Sequence, residues 1–328
     1  MRTRLTAGIG ALALVGTGLA AAAPTAAAGA ATGAGANACP PTDTPASARV
    51  AEGSEVRSEP ASPSPQKVMK FEAALQDRLA KMGYDKASEP KLANGSVKIP
   101  VYAHVIRRKN GSGNTTNRSV RRQVRVLNRA FRGDTSGPAI NTPFRFRLKN
   151  IDRTRKTDWF NWTFEDDDKP AKKALHQDNQ FRSLDIYITK LAGGVLGYAF
   201  LPESVQDRPF RDGVVLHKAS LPGGSFATYN RGDTGTHEVG HWLNLLHTFQ
   251  GGCDDPGDMV EDTPRQNNGD NVFVCDETLN TCGNNTGLDA HYDPVHNFMN
   301  YTGDKCMDRF TFGQEDRMAM SYLAYRAG

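Results

Sequence analysis

The chain has 328 residues, enough for one sizeable core or two small ones, and sets 40 Lys and Arg against 36 Asp and Glu for a net charge of +4. So mild an excess, spread among acids and without interleaved aromatics, excludes a chain built to track a nucleic-acid strand. Beyond the N-terminal region no stretch is long and apolar enough to span a bilayer.

Arg2 and Arg4 precede a charge-free, Ala- and Gly-rich run from Leu5 to Ala23, followed by small-x-small options around Ala28 and Ala38. Weak hydrophobicity and the N-terminal position mark a secretory signal peptide over residues 1–28, or as far as 38, rather than an anchor. The mature protein is therefore expected to be secreted, soluble and monomeric, with neither nucleic acid nor membrane as partner. A Pro-, Ala- and Ser-rich tract then runs to about Asn94, broken by an amphipathic helix with Phe71, Leu75, Leu79 and Met82 on one face and Gly83 as its stop. A helix of that length is marginal alone in water, so it is expected to pack on something. A pro-segment over residues 29–94, lying on the domain that follows, is the simplest role; a flexible linker with incidental helicity is the alternative.

From Val97 the pattern changes. Val97, Ile99, Val101, Ala103 and Val105 recur at every second position, as do Phe144, Phe146 and Leu148, and then Leu184, Ile186 and Ile188. Between the first two runs, Val120, Val124, Leu127 and Phe131 recur at helical spacing within the arginine-rich stretch Arg118 to Arg132, which ends at Gly133. Strand, helix, strand, helix, strand predicts an α/β unit with one mixed sheet backed by helices, here the upper part (about 95–246) of a domain over residues 95–328.

That unit closes on His237-Glu238-Val239-Gly240-His241-Trp242-Leu243-Asn244-Leu245-Leu246-His247. On a helix from about Thr234 to Leu243, with Asp233 as a plausible cap, positions i and i+4 stand above one another. His237 and His241 can then offer imidazoles to one Zn²⁺ while Glu238 reaches the water the metal polarises. His247 lies six residues past His241, roughly 240° further round a continuing helix, so the chain must leave the helix first. Asn244 stands where that break is needed, and Asn tolerates the left-handed conformation best after glycine.

After His247 regular signals nearly vanish until a final helix near Gln314 to Tyr325; the cleft is expected between the two halves. Of five cysteines, Cys253, Cys275, Cys282 and Cys306 read as two disulfides in an exported chain, with three connectivities open. Cys39 is left over. Its thiolate could fill the open zinc position and hold a precursor silent, or the residue simply lies near the signal cleavage site. Asp254, Asp255, Asp258, Glu261 and Asp262 form an acidic loop of no EF-hand pattern. His104, His176, His217, His291 and His296 lack ligand spacing and read as solvated or hydrogen-bonded side chains.

HExxH with a third histidine resembles the metzincin metallopeptidases. Gly232-Asp233-Thr234-Gly235-Thr236 before the helix, Thr248-Phe249-Gln250-Gly251-Gly252-Cys253 after it, Gly193 to Tyr198, Gly257 to Pro264, Asn297-Phe298-Met299-Asn300-Tyr301 and Cys306-Met307 narrow this to the pappalysin family in its bacterial, ulilysin-like branch. The likeness runs from about Val97 to the C-terminus and departs where the family usually has glycine at the position of Asn244. It implies an α+β zincin fold: a twisted mixed sheet with backing helices and an active-site helix, then an irregular, disulfide-stapled subdomain over about 247–328. It also implies pairing of Cys253 with Cys282 and Cys275 with Cys306, one catalytic Zn²⁺ on His237, His241 and His247, and structural Ca²⁺ near Asp258 and Asp262. Gly194, Val195 and Leu196 would lie in an edge strand to which an extended peptide adds, and Met299 would be the apolar floor of the Met-turn. Tyr301 would ligate zinc at rest or donate to the oxyanion, and Asp304 would be the acidic floor of the pocket for the residue just after the cut bond.

The expected function is a secreted zinc endopeptidase made as a zymogen, with Glu238 as general base, protein or peptide substrates and a preference for arginine, then lysine, after the scissile bond. A hydrolase for a non-peptide amide and a catalytically silent metal-binding module are the alternatives; loss of Glu238 or of a ligand histidine would mark the second, and none is lost.

Overall fold

The computed structural model describes residues 47–54, 62–84, 91–162, 168–177, 181–283 and 291–327, so the signal peptide, its cleavage options and Cys39 lie outside the described residues. In chain order the elements are β1 (Ser47–Val50), α1 (Pro65–Lys81), β2 (Val97–Arg107), α2 (Asn117–Ala130), β3 (Phe144–Arg155), β4 (Asn161–Trp162), α3 (Lys169–Leu175), β5 (Leu184–Leu191), β6 (Val195–Ala199), β7 (Val214–His217), α4 (Asp233–Trp242) and α5 (Phe312–Arg326). The three alternating runs become β2, β3 and β5, neighbours in a sheet ordered β1-β6-β7-β5-β2-β3 with β4 on β5. β3, β2, β5 and β7 run parallel, while β6 lies antiparallel to β7 and β1 antiparallel to β6. The sheet is mixed, as the order of strands and helices predicts. β1, β4 and β7, each of four residues or fewer, and the seven-residue α3 carry too few positions for a period to show.

α2 turns Val120, Val124 and Leu127 onto the sheet and its arginines outward, and Thr116 caps it by accepting from the Ser119 amide. It ends where Gly133 takes φ +71°, and a Cβ there would stand 2.6 Å from the Ile140 carbonyl oxygen. Buried Gln123 donates to the Gly232 carbonyl at 2.7 Å and so ties α2 to the entry of α4. At the other end of α4, Arg326 of α5 lies 3.5 Å over the Trp242 ring and pairs with both oxygens of Asp212. These two ties fix the axis of α4 against the sheet.

α1 packs by Val68 on Leu201 and Leu246, and by Leu75 and Leu79 on Tyr325, while Glu72 pairs with Arg317 at 2.7 Å. Met82, predicted on the packed face, lies one residue past the last turn and is 46% exposed. The two disulfides are Cys253–Cys282 and Cys275–Cys306, the pairing that the family resemblance implies. Among the described residues no helix is long and apolar enough to cross a membrane.

Candidate active site

α4 begins differently from the sequence expectation. Its N-cap is Gly232 at φ +104°, which no side chain caps, and Asp233 is the first helical residue. The left-handed turn needs glycine, and a Cβ there would also strike Pro222 at 2.8 Å. At the far end Asn244 takes φ +80° and the Leu245 amide donates back to the Gly240 carbonyl at 2.9 Å. The chain then swings round and brings in His247. The three Nε2 atoms of His237, His241 and His247 lie 3.0, 3.0 and 3.1 Å apart, all fully buried.

The imidazole orientations are set from behind. His237 Nδ1 donates to the Phe298 carbonyl at 2.7 Å and His241 Nδ1 to the Leu245 carbonyl at 2.8 Å, which leaves each Nε2 as a lone pair facing the others. Burial, then the neighbouring imidazoles, holds His237 and His241 well below the usual histidine range, and burial alone pushes His247 down to about 3. Three converging lone pairs repel one another unless a cation lies among them, and three neutral imidazoles fit Zn²⁺. Phe249, which the sequence reading passed over, stacks on His247 with ring centroids 4.7 Å apart and only 5° between planes. Met299 lies fully buried beneath α4, and a Cβ at Gly240 would stand 2.4 Å from its sulfur. That contact makes Gly240, inside HExxH, a packing requirement.

Glu238 is fully buried with Oε1 accepting from the Arg49 amide at 3.2 Å. Arg49 belongs to β1, and β1 occupies the face of β6 that would otherwise be the sheet edge. The register pairs Ala48 with Tyr198, Arg49 with Gly197 and Val50 with Val195, and the Ala51 amide donates to the Gly194 carbonyl at 3.0 Å. Gly194 and Val195, two of the three residues expected to receive an extended peptide, thus pair with β1 of the same chain. Leu196 does not: the register shifts between Arg49 and Val50, and the Leu196 carbonyl accepts from Ser220 instead. Gly197 takes its place, for a Cβ there would meet Glu238 Oε1 at 2.9 Å.

The Arg49 side chain runs into a closed pocket. Its Nη1 donates to Asp304 Oδ1 at 2.9 Å and to the Thr234 hydroxyl at 3.0 Å, and Nη2 donates to the Thr302 carbonyl at 2.6 Å. Asp304 is 3% exposed, and its Oδ2 accepts from the amides of Arg231, Gly232 and Asp233 at 2.8, 3.1 and 3.3 Å. Burial, then the Asp304 charge, pushes Asp233 up to about 7. Tyr301 donates its hydroxyl to the Ala48 carbonyl. The peptide bond Ala48–Arg49 thus lies with its carbonyl oxygen on Tyr301 and its nitrogen on Glu238. The signal that could have found it is that Arg49 is the first basic residue after Arg4.

Other candidates stand apart. Asp258 is buried, with burial pushing its carboxyl up to about 8, and Oδ1 accepts from the Val260 amide. Asp262 instead accepts from Thr311 and Gly313 at the start of α5. Among the described residues no third acidic ligand joins them. His104 sits between Asp152 and Asp185, His176 against Asp185 and His296 against Glu277. The Cys275, His296 and Cys306 atoms also converge, but the two sulfurs are bonded to each other.

The family profile of the M43 peptidases, described as pregnancy-associated plasma protein-A, matches residues 167–322. An extracellular metalloprotease of Sordaria macrospora is 37% identical over 240 residues, 72% of this chain and 78% of that protein. One of Pyricularia oryzae is 35% identical over 234 residues, 70% of this chain and 76% of that protein. Among solved structures, mature mirolysin of Tannerella forsythia in complex with a cleaved peptide is 28% identical at a TM-score of 0.57, covering 72% of this chain and 97% of that one. A promirolysin mutant from the same organism is 27% identical at a TM-score of 0.60, covering 84% and 94%.

Proposed function

The chain belongs to the M43 peptidase family and is a zinc metalloendopeptidase, and on that premise we propose that it is a secreted zymogen which cuts peptide bonds before arginine, then lysine, with Glu238 as general base. The observation that carries this reading is the seating of Ala48–Arg49. His237, His241 and His247 would hold the zinc, which when bound acidifies a water and polarises the carbonyl to be attacked. Glu238 takes the water's proton and passes it to the departing amide nitrogen, and its 3.2 Å contact with the Arg49 nitrogen supports that second role. Tyr301 donates to the carbonyl oxygen, which supports assigning it to the developing negative charge. β6 aligns the substrate backbone by strand addition, with Gly194, Val195 and Gly197 as the aligning residues.

Asp304 selects arginine because a fully desolvated carboxylate, already held by three amides, gains a charge-assisted partner from a guanidinium and none from an apolar side chain. The Thr234 hydroxyl and the Thr302 carbonyl favour arginine over lysine, since a single ammonium on a shorter stem cannot reach three acceptors as the guanidinium fork does. A pro-segment over 29–94 is supported by β1 lying across the cleft and by the larger share of the chain that aligns with the promirolysin mutant. Secretion is supported by the extracellular relatives. The test is to incubate the matured protein with a denatured protein mixture, with and without a zinc chelator, and to sequence the new termini. Arginine is expected at the new N-termini and nothing with chelator; new termini without basic preference would overturn the pocket assignment.

A further inference from the structure

The outer face of α2 does more than face solvent. Arg122, Arg125 and Arg129 line a groove of about 460 Å³ whose opposite wall is the 222–231 loop, ending in Arg231. At Gly223 a Cβ would lie 3.5 Å from the Arg122 guanidinium, so the walls approach closely. All four arginines are exposed, and among the described residues none of the four guanidiniums takes part in a hydrogen bond or an ion pair. Arg122, Arg125 and Arg129 lie within about 10 Å along the helix, about one Debye length at 0.1 M salt, and repel; Asp233 attracts Arg129 and Arg231 from the far side, but no carboxylate lines the groove itself. A concave basic cluster with no carboxylate in its lining is complementary to an anionic chain.

The groove adjoins the cleft through its own loop. The Arg231 amide holds Asp304, two residues before it Tyr229 accepts a hydrogen bond from the Glu52 amide at 3.1 Å, and Glu52 is the fourth residue after the bond Ala48–Arg49. The pro-segment then turns back, with Ser54 against Gly194. A substrate that continues extended past Tyr229 would need only about two further residues, roughly 7 Å, to reach Arg231. No aromatic side chain lines the groove to stack nucleobases.

We propose that this groove is an exosite for an acidic segment of the protein substrate, beginning about six residues after the cleaved bond. The proposal rests on the cleavage reading above for its direction, not for the groove itself.

Two peptides sharing Ala-Arg-Val at the cut site, one with four Glu at the sixth to ninth residues after the bond and one with Gln there, test it against wild type and an Arg122→Gln/Arg125→Gln variant. Both substitutions are remote from the catalytic groups. For wild type at low salt the acidic peptide should show about tenfold lower KM with kcat unchanged, an advantage lost at 0.5 M salt. The variant should keep less than about twofold of it while cutting the neutral peptide at the wild-type rate. An equal advantage in both proteins, or none in wild type, overturns the exosite. If wild type cuts neither peptide, the cleavage reading fails and the groove is judged by binding alone. A labelled Glu-rich peptide should then bind full-length Glu238→Gln protein at least about fivefold more tightly than the same protein carrying the two arginine substitutions. Absent or equal binding overturns the proposal, as does a sulfated polysaccharide fragment that needs these arginines where the acidic peptide does not.

Discussion

Asp304→Asn isolates the charge of the pocket proposed to select arginine from its architecture. The amide keeps one oxygen, which can still accept from the amides of Arg231, Gly232 and Asp233, so the loop that enters α4 has no reason to move. What changes is the side facing the substrate, where an oxygen 2.9 Å from the guanidinium becomes a neutral group, and an NH₂ if the three amides keep the oxygen. Both members of this pair are fully buried, so water cannot make up the loss. Removing one partner of a buried, hydrogen-bonded charge pair costs about 2–5 kcal/mol, which is about 30- to several-thousand-fold in kcat/KM for an arginine substrate. The Thr302 carbonyl and Thr234 hydroxyl remain, so the lower half of that range is expected. A leucine substrate makes no use of the charge and should be cut as fast or faster. The assay is competition between peptides differing only after the scissile bond. An arginine-to-leucine ratio within about threefold of wild type, in folded, zinc-loaded protein, would refute the assignment of Asp304.

Glu238→Gln should retain one zinc per chain while peptide hydrolysis falls by about three orders of magnitude or more; near wild-type turnover would dismiss Glu238 as the base. In N-terminal sequencing, the first cut during self-maturation should expose Arg49-Val50-Ala51, ahead of removal of the rest of the pro-segment, and an Arg49→Ala precursor should mature far more slowly; maturation at the wild-type rate with no such intermediate speaks against the seating of β1 as substrate-like. Burial disfavours the charged form of His104, but hydrogen bonds to Asp152 and Asp185 outweigh it and hold the imidazole up to about 9. Since this value lies above the unfolded one, about 6.5, the stabilisation is full below pH 6.5 and lost as pH rises through 9, roughly 3 kcal/mol in all. His104→Gln should flatten that part of a Tm-against-pH curve, and a wild-type curve already flat there would count against the charged pair.

The parts legible in the sequence are those whose geometry is set within about ten residues. His237 and His241 need only helical spacing, and the left-handed Asn244 follows from where His247 must go. β2, β3 and β5 were readable because their alternation spans enough positions to be seen. β1 and β7 were not, because four residues carry no period and their pairing is decided by partners elsewhere in the chain. Leu196 was misassigned for a related reason: a bulge shifts the register by a residue, and a bulge leaves no mark on composition. The cap of α4 failed because Gly232 serves a backbone conformation and a close approach to Pro222, needs that an Asp at the next position masks.

Latency and specificity in the proposed zymogen use the same atoms, which limits how either can be tuned. Any change that tightens Arg49 against Asp304 tightens a substrate arginine equally, so the pocket alone cannot make the pro-segment a better ligand than a substrate. The distinction has to come from contacts that a substrate lacks. α1 supplies them: Val68 on Leu201 and Leu246, Leu75 and Leu79 on Tyr325, and the Glu72–Arg317 pair. Because α1 is tethered through the same chain, β1 meets β6 at an effective concentration in the millimolar range that no free peptide approaches. Weakening α1, by Leu75→Ala for example, should therefore loosen latency while leaving the preference for arginine untouched. Asp304→Asn should loosen both, and a variant pair that failed to separate in this way would show that α1 has no part in holding β1 in the cleft.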